Sequence, residues 1–178
     1  MADTIDKLIE KATRARLENR LADARRSWME AVTLSREAKR TGALIQSLKG
    51  LGESERDLGN DAGALTLYEE AVVLCRGEDE AQVLAHTVRH LGDIHSDLGQ
   101  WGLARPCYEE ALALYRCDAS TAPLDLANAI RPFAILKERA GGKEAARALW
   151  EEARTLYELV GVAAGVAESS SRLAALAK

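Results

Sequence analysis

Three basic residues recur at almost constant spacing along the sequence: Lys49, Arg89 and Arg131. Ammonium and guanidinium groups bind carboxylates and phosphates, and a guanidinium can bind both oxygens of a carboxylate at once. Lys49 and Arg89 also have an acidic residue four positions later, Glu53 and Asp93, so pairing within one helix is the alternative. Arg131 has an apolar residue at that position. The pattern predicts an anion-binding series, with self-paired surface charge as the competing interpretation.

Two histidines and a carboxylate lie on one side of a predicted helix. His86, His90 and Asp93 fall within an arc of about 60° when successive residues are placed 100° apart. Imidazole and carboxylate groups can bind a metal ion. Metal sites normally draw ligands from several elements, however, and no further histidine is placed to join this set. We therefore predict a polar surface with no resident metal or cofactor, and keep a metal or small-ligand sensor as the least favoured function.

No arrangement typical of an enzyme is present in the sequence. It lacks the GxSxG nucleophile motif, a phosphate-binding glycine loop and the HExxH zinc motif. The serine run Ser169–Ser171 has no histidine near it in the sequence. Glutamate pairs recur on what we predict to be the solvent face of every second helix, so they do not indicate an acid–base dyad. We predict no catalytic residues and no enzymatic activity.

Charge and composition exclude several classes of partner. The formal net charge is −4 over 178 residues, so no general nucleic-acid interface is expected. The N-terminus has no apolar core of a signal peptide, and no apolar run approaches the ~18 residues of a membrane span. Cys75, Cys107 and Cys117 are odd in number and lack CxxC spacing. These features predict a reduced, cytoplasmic protein that contacts neither nucleic acid nor membrane.

The whole chain is built on an internal repeat of about 40 residues. Small residues recur 40, 40, 42 and 40 positions apart, at Ala12, Gly52, Gly92, Ala134 and Ala174, and we call them the anchors. Seven positions after the first four come residues that tolerate a left-handed backbone: Asn19, Gly59, Gly99 and Gly141. Further on, each unit has an alanine, an aromatic residue one turn later and a second alanine. Small residues let two helices approach closely, and the aromatic ring fills the space between them.

Each repeat therefore predicts a helical hairpin. The hairpins cover about 3–39, 42–76, 80–116 and 122–159, followed by a single helix near 162–177. Predicted capping residues at helix starts are Thr41, Asp61, Asp79 and Ser120 or Thr121. We interpret residues 1–178 as one all-α domain of four hairpins plus a C-terminal capping helix.

The repeat resembles the tetratricopeptide repeat (TPR). The resemblance is carried by Val88-x2-Leu91-Gly92-x2-His95 and by Ala104-x3-Tyr108-x2-Ala111, and the unit around Gly52 matches equally well. The usual helix-ending proline is absent, and the period is about six residues longer than the usual 34, as in the extended repeats of kinesin light chains. The resemblance implies a right-handed α–α superhelix. It also places His95 where the family has a tyrosine, so we expect a packed histidine with one hydrogen bond.

In this family the first helices line a concave groove that usually binds a peptide. The resemblance therefore implies a scaffold or adaptor that binds a protein segment, and the basic series favours an acidic or carboxylate-bearing one. Candidate groove residues are Gln46, Lys49, Arg56, His86, Arg89, His90, Asp93, Asn128 and Arg131. The alternative is a structural module that forms a homodimer through its C-terminal helix, since that helix carries few charges and no second helix follows it in the sequence.

Overall fold

The computed structural model describes residues 2–78 and 80–177, and these residues form nine α-helices and no strand. The helices are α1 (Ala2–Leu17), α2 (Leu21–Glu37), α3 (Thr41–Asp57), α4 (Asp61–Cys75), α5 (Ala81–Asp97), α6 (Trp101–Cys117), α7 (Pro123–Arg139), α8 (Lys143–Leu159) and α9 (Ala163–Leu176). The predicted all-α class is confirmed. α7 runs through Pro132 without ending, although proline removes one backbone donor from the helix.

The helices form two compact units. Unit 1 is Met1–Glu80 with α1 to α4, and unit 2 is Ala81–Lys178 with α5 to α9. The organisation of residues 1–178 as a single domain stays a prediction.

Six turns between helices share one backbone design in the part of the chain that is described. A residue with positive φ follows the first helix, and the N–H of the next residue bonds the carbonyl five positions earlier, as from Asn60 to Glu55 at 2.8 Å. This is the Schellman motif. The positive-φ residues are Asn19, Lys39, Gly59, Gly99, Gly141 and Gly161. The four turn residues predicted from the repeat are thereby confirmed, and Lys39 and Gly161 add two more.

The turn, rather than a capping side chain, decides where the next helix begins. The residue immediately after each positive-φ residue is also the N-cap of the following helix, as Arg40 is for α3 and Asn60 for α4. Asn60 accepts a hydrogen bond from the Gly63 N–H at 3.1 Å. The predicted caps Thr41 and Asp61 are therefore wrong by one residue, because each is the first residue inside its helix.

The predicted caps Ser120 and Thr121 are wrong as well. The residue before α7 is Ala122, in extended conformation. The Ser120 hydroxyl instead bonds the Asp118 carboxylate at 2.7 Å, which shapes the connection before the helix. Asp79 lies outside the described residues.

Unit 1 is held together by close packing between first and second helices. Ile5, Ala12 and Leu48 from the first helices surround Trp28 from α2 in one apolar cluster. Gly52 of α3 lies against the ring of buried Tyr68 in α4. The alanines on either side of both aromatic residues are fully buried, as the repeat predicts.

Unit 2 repeats this packing and adds a ninth helix. Tyr108 of α6 and Trp150 of α8 are buried between flanking alanines, and Phe133 of α7 lies 6.4 Å from Tyr108 between ring centres. α9 packs on α8, where Gly165 lies directly against the ring of Tyr157. Ser169 is the fully buried residue of α9. The terminal helix is therefore attached through these small residues and through the partly buried Val166, Leu173 and Leu176.

Second helices are joined by ion pairs on their outer faces. Arg36 of α2 binds Glu70 of α4 at 2.6 Å, and Arg116 of α6 binds Glu152 of α8 at 2.7 Å. The predicted solvent-facing glutamate pairs thus include a residue that also links neighbouring hairpins. Both glutamates keep more than a third of their side chain exposed, so each pair contributes little to stability.

Candidate functional site

The predicted groove residues lie on three first helices. Gln46, Lys49 and Arg56 lie on α3 of unit 1, while the other six lie on α5 and α7 of unit 2. In unit 1, Gln46 is exposed, whereas Lys49 and Arg56 are half-buried. Glu53, the expected intrahelical partner of Lys49, is bound by Arg16 of α1. The structure therefore shows a polar face on α3, with no geometry that singles out a ligand.

In unit 2, three predicted residues of α5 form one hydrogen-bonded group, and a fourth, His86, lies beside it. Arg89 donates to Asp93 at 3.0 Å, which is the intrahelical pair foreseen as the competing interpretation. A second nitrogen of Arg89 lies 2.6 Å from Nε2 of His90. Because a guanidinium can only donate, His90 Nε2 accepts and Nδ1 carries the proton of the neutral ring. The ring of His86 lies 4.5 Å from that of His90. The histidines thus line the approach to Arg89.

Two tyrosines of α6 contact this group and hold it in place. The Tyr108 hydroxyl donates to Asp93 at 3.0 Å, and burial together with the Asp93 charge raises the pKa of Tyr108 far above its usual range. Burial also raises the pKa of Tyr115, against the opposing charge of Arg89. Both phenols therefore stay protonated at neutral pH. Asp93 is held from two helices, which makes Arg89 part of a rigid internal network.

Arg131 on α7 is bound differently. Its Nε and Nη2 donate to the two carboxylate oxygens of Glu168 on α9, at 2.6 and 3.0 Å. These hydrogen bonds raise the pKa of Arg131 despite partial burial. The sequence offered no partner for Arg131 four residues on, and the structure supplies one from two helices away. The pair is partly exposed, with 45% of the Arg131 side chain and 28% of the Glu168 side chain accessible.

Tyr157 of α8 lies within range of the charges of both arginines. Burial raises the pKa of Tyr157, while the nearby charges of Arg131 and Arg89 lower it and that of Glu168 raises it again. Its hydroxyl donates to Oδ1 of Asn128 at 2.9 Å, so the amide oxygen of Asn128, and not its amide nitrogen, binds Tyr157. We call Arg89, Asp93, Arg131, Tyr157 and Glu168 the arginine cluster. Its two cations and two carboxylates balance in charge.

Sequence reasoning did not find Tyr108, Tyr157 or Glu168. The repeat predicts a packing role for Tyr108 alone and none for Tyr157. The hydroxyl groups of both tyrosines reach residues of the first helices. Glu168 carried a usable signal. It stands six positions before the anchor Ala174, the same offset as Asn128 before Ala134, so it belongs to the same face.

His95 has the environment expected of it. It is buried, and its Nδ1 lies 2.7 Å from the side-chain oxygen of Gln100, which confirms a packed histidine with a hydrogen bond.

The other chemical candidates find little support in the described residues. Among these residues no group of three histidine, cysteine or acidic side chains is arranged to hold a metal ion. Ser169 is buried and donates to the carbonyl of Gly165 inside its own helix. No helix in this part of the chain is long and apolar enough to cross a membrane.

The repeat pattern matches a known protein family. Residues 43–117 match the tetratricopeptide repeat family. This segment carries tetratricopeptide repeats. The matched segment runs from α3 to the end of α6 and so includes helices of both units. A comparison with curated proteins gave no match.

Solved structures extend the likeness to almost the whole chain. BtubC (BKLC) from P. vanneervenii superposes with a TM-score of 0.81 at 17% identity over 93% of this chain and 68% of its own. It is a kinesin light chain-like tetratricopeptide repeat protein, in agreement with the extended repeat. The predicted class, an all-α tetratricopeptide repeat solenoid, is therefore confirmed.

Two further tetratricopeptide-like structures are longer than this chain. Aspartyl phosphate phosphatase F from Bacillus subtilis has a TM-score of 0.84 at 14% identity, over 94% of this chain and 44% of its own. A Rap protein complexed with Competence and Sporulation Factor has a TM-score of 0.75 at 15% identity, over 86% of this chain and 43% of its own. The chain thus spans less than half of each, and at these identities the likeness shows the fold alone.

Proposed function

We propose that this tetratricopeptide repeat protein is a non-enzymatic scaffold that binds an extended, carboxylate-bearing segment of another protein at the arginine cluster. The observation that carries the proposal is the partly exposed guanidinium of Arg131, which holds the carboxylate of Glu168 by two hydrogen bonds. The charge of Arg89, on the preceding first helix, acts with that of Arg131 on the pKa of Tyr157, so the two cations lie in one neighbourhood. Guanidinium donors are suited to carboxylates. Asn128, His86 and His90 add polar groups beside them.

The structural relatives support this function in outline. A structurally similar Rap protein was solved in complex with Competence and Sporulation Factor, so the fold is known with a bound partner. The net charge of −4 speaks against a nucleic-acid partner, and an odd number of cysteines without CxxC spacing suits a reducing, cytoplasmic location.

Selection from a random peptide library tests the proposal. Random dodecapeptides displayed on phage are selected on the wild-type protein, and the enriched peptides are measured by fluorescence anisotropy. We expect enrichment in Asp and Glu, and a loss of affinity of about tenfold or more in the double variant Arg89→Gln, Arg131→Gln, because charge-assisted hydrogen bonds are the strong ones.

The double variant Arg26→Gln, Arg105→Gln is the matched control. Arg105 pairs with Glu109 in its own helix and Arg26 lies near Asp23 in α2, so their replacement removes the same two positive charges away from the cluster. Selected peptides that bind both variants as well as wild type would refute the proposal. Gln46, Lys49 and Arg56 of α3 stay a prediction, which Lys49→Gln tests with the same peptides.

A homodimer through α9 is the second candidate. Ala167 and Ala174 are exposed, although the alanines at the equivalent positions of α7, Ala127 and Ala134, are buried. Light scattering of wild type and of the double variant Ala167→Glu, Ala174→Glu tests it. A wild-type monomer would end this alternative.

A further inference from the structure

The two arginines of the cluster differ in how they are held. Arg89 is only 15% exposed and pairs with Asp93 of its own helix, which Tyr108 also binds. Arg131 is 45% exposed and pairs with Glu168 of α9. Water and solutes therefore reach Arg131, whereas Arg89 is built into the interior network. A ligand carboxylate would meet Arg131.

Arg131 already displays the geometry of a bound carboxylate. Two parallel N–H···O bonds of 2.6 and 3.0 Å join its Nε and Nη2 to the two oxygens of Glu168. This is the two-bond arrangement that a guanidinium makes with any carboxylate. In the matching register of α5 and α7 stand His86 and Asn128, which carry no carboxylate. Glu168 is thus the acidic group that unit 2 presents at this position.

Glu168 can leave Arg131 without loss of α9. The helix is held separately by the contact of Gly165 with Tyr157, by buried Ser169 and by the pair of Arg172 with Glu138 at 3.2 Å. A partly exposed ion pair contributes little to stability because water screens it. A change of the Glu168 rotamer therefore frees Arg131 at small cost.

We propose that Glu168 occupies the position of a ligand carboxylate and sets the specificity of the cluster, an inference that rests on the function proposed above. An incoming carboxylate exchanges for that of Glu168, so Arg131 is paired before and after binding. A neutral or basic segment offers no such exchange and leaves the existing pair in place. The ligand class is a peptide carboxylate, and Glu168 is its intramolecular competitor for Arg131.

The test uses the full chain and a defined probe. The probe is a fluorescein-labelled decapeptide of Glu-Leu repeats, with a Gln-Leu decapeptide as its neutral counterpart. Glu168→Gln should bind the Glu-Leu peptide about fivefold more tightly than wild type, because the competitor is lost while a partly exposed pair is weak. Arg131→Gln combined with Glu168→Gln should lose the gain.

Two matched controls separate exchange from other effects. Arg172→Gln breaks the other ion pair between α7 and α9 but keeps Glu168 on Arg131, so no gain is expected. Glu151→Gln removes an exposed carboxylate of α8 and the same unit of charge, again without gain. Thermal unfolding of each variant verifies that α9 remains docked.

The outcomes distinguish this inference from the proposed function. Equal affinity of wild type and Glu168→Gln, or a gain that persists without Arg131 or appears in Glu151→Gln, overturns the exchange. If the exchange is overturned but phage-selected peptides still depend on Arg89 and Arg131, the proposed function is retained without it. If the binding of no peptide depends on either arginine, both the proposed function and the exchange are refuted.

Discussion

A β-carbon at position 92 would lie 2.8 Å from Cε1 of Tyr108, closer than real side chains approach each other. Gly92 of α5 and Tyr108 of α6 thus define the separation of the two helices in this hairpin. The same tyrosine donates to Asp93, the next residue along α5. The close approach that packs the hairpin therefore also positions the carboxylate that holds Arg89.

Gly92→Ala should lower the free energy of unfolding by about 1–3 kcal/mol, because an added methyl group forces the Tyr108 ring to shift in a full core. Urea unfolding measures the change. Gly102→Ala in α6 is the control: nothing lies within 4 Å of its β-carbon, so it should be neutral or slightly stabilising as helix propensity rises. Similar losses in both variants would contradict the packing account.

Lys39→Gly should raise the free energy of unfolding by about 0.5–1 kcal/mol. Lys39 has φ of 53°, a left-handed conformation that penalises a side chain by about 1 kcal/mol, partly offset by the greater entropy of unfolded glycine. The opposite change at an equivalent turn, Gly59→Ala, should destabilise by about 1 kcal/mol. Thermal midpoints that move in the same direction would refute the shared turn geometry.

Trp28→Phe and Trp150→Phe should differ although both rings are buried. Trp150 Nε1 donates to Glu138, whereas Trp28 Nε1 meets no acceptor in the described part of the chain. Losing a bond to a carboxylate costs stability, while removing an unsatisfied buried N–H recovers some. We expect Trp150→Phe to be more destabilising by about 1–2 kcal/mol in denaturant titrations. Equal effects would show that Trp28 has a partner after all.

Stability should fall in acid partly through Glu55. Burial raises the pKa of Glu55, but hydrogen bonds from Arg25 and Asn60 outweigh it and leave the pKa below its ordinary 4.5. A lowered carboxyl pKa adds stability that is complete above pH 4.5 and is lost as pH falls through the folded-state pKa.

Arg25→Gln should therefore lose less stability than wild type, by about 0.5–1 kcal/mol, between pH 7 and pH 3. Urea titrations at the two pH values measure the difference. Arg26→Gln is the control, because the Arg26 side chain is 79% exposed and its nearest carboxylate, that of Asp23, is as far as 3.7 Å away. An identical acid response in the Arg25 variant and wild type would exclude Glu55 as a contributor.

The turns and the hairpin cores were predictable from sequence because both depend on residue types at fixed offsets. A left-handed turn favours Gly or Asn, and a close helix contact needs Gly or Ala opposite an aromatic ring. The left-handed conformation of Lys39 was not predicted, because residues other than Gly and Asn rarely adopt it. The caps at Thr41 and Asp61 failed because the Schellman turn had already determined the helix start.

The candidate site was predictable only in part. The offsets placed Arg89 and Arg131 on first helices, and the Arg89–Asp93 pair followed from spacing alone. The partner of Arg131 did not, since Glu168 is 37 positions away and their contact depends on how α7 and α9 lie on α8. The tyrosine hydroxyls were missed because a packed aromatic residue and a hydrogen-bond donor look the same in sequence.

In each of these turns the residue that completes the Schellman motif is also the N-cap of the next helix, so the length of the turn is fixed. Asn60 closes one helix and opens the next, so deleting or inserting a single residue there would rotate α4 by about 100° and carry Tyr68 out of the core. Only a longer connection absorbs such a change. Between α6 and α7, residues 118–122 form one, and there the repeat lengthens from 40 to 42 residues. α2 and α6 both have 17 residues, so the two extra residues of this repeat, compared with the one that contains α2, lie in a joint between hairpins that lacks the left-handed turn.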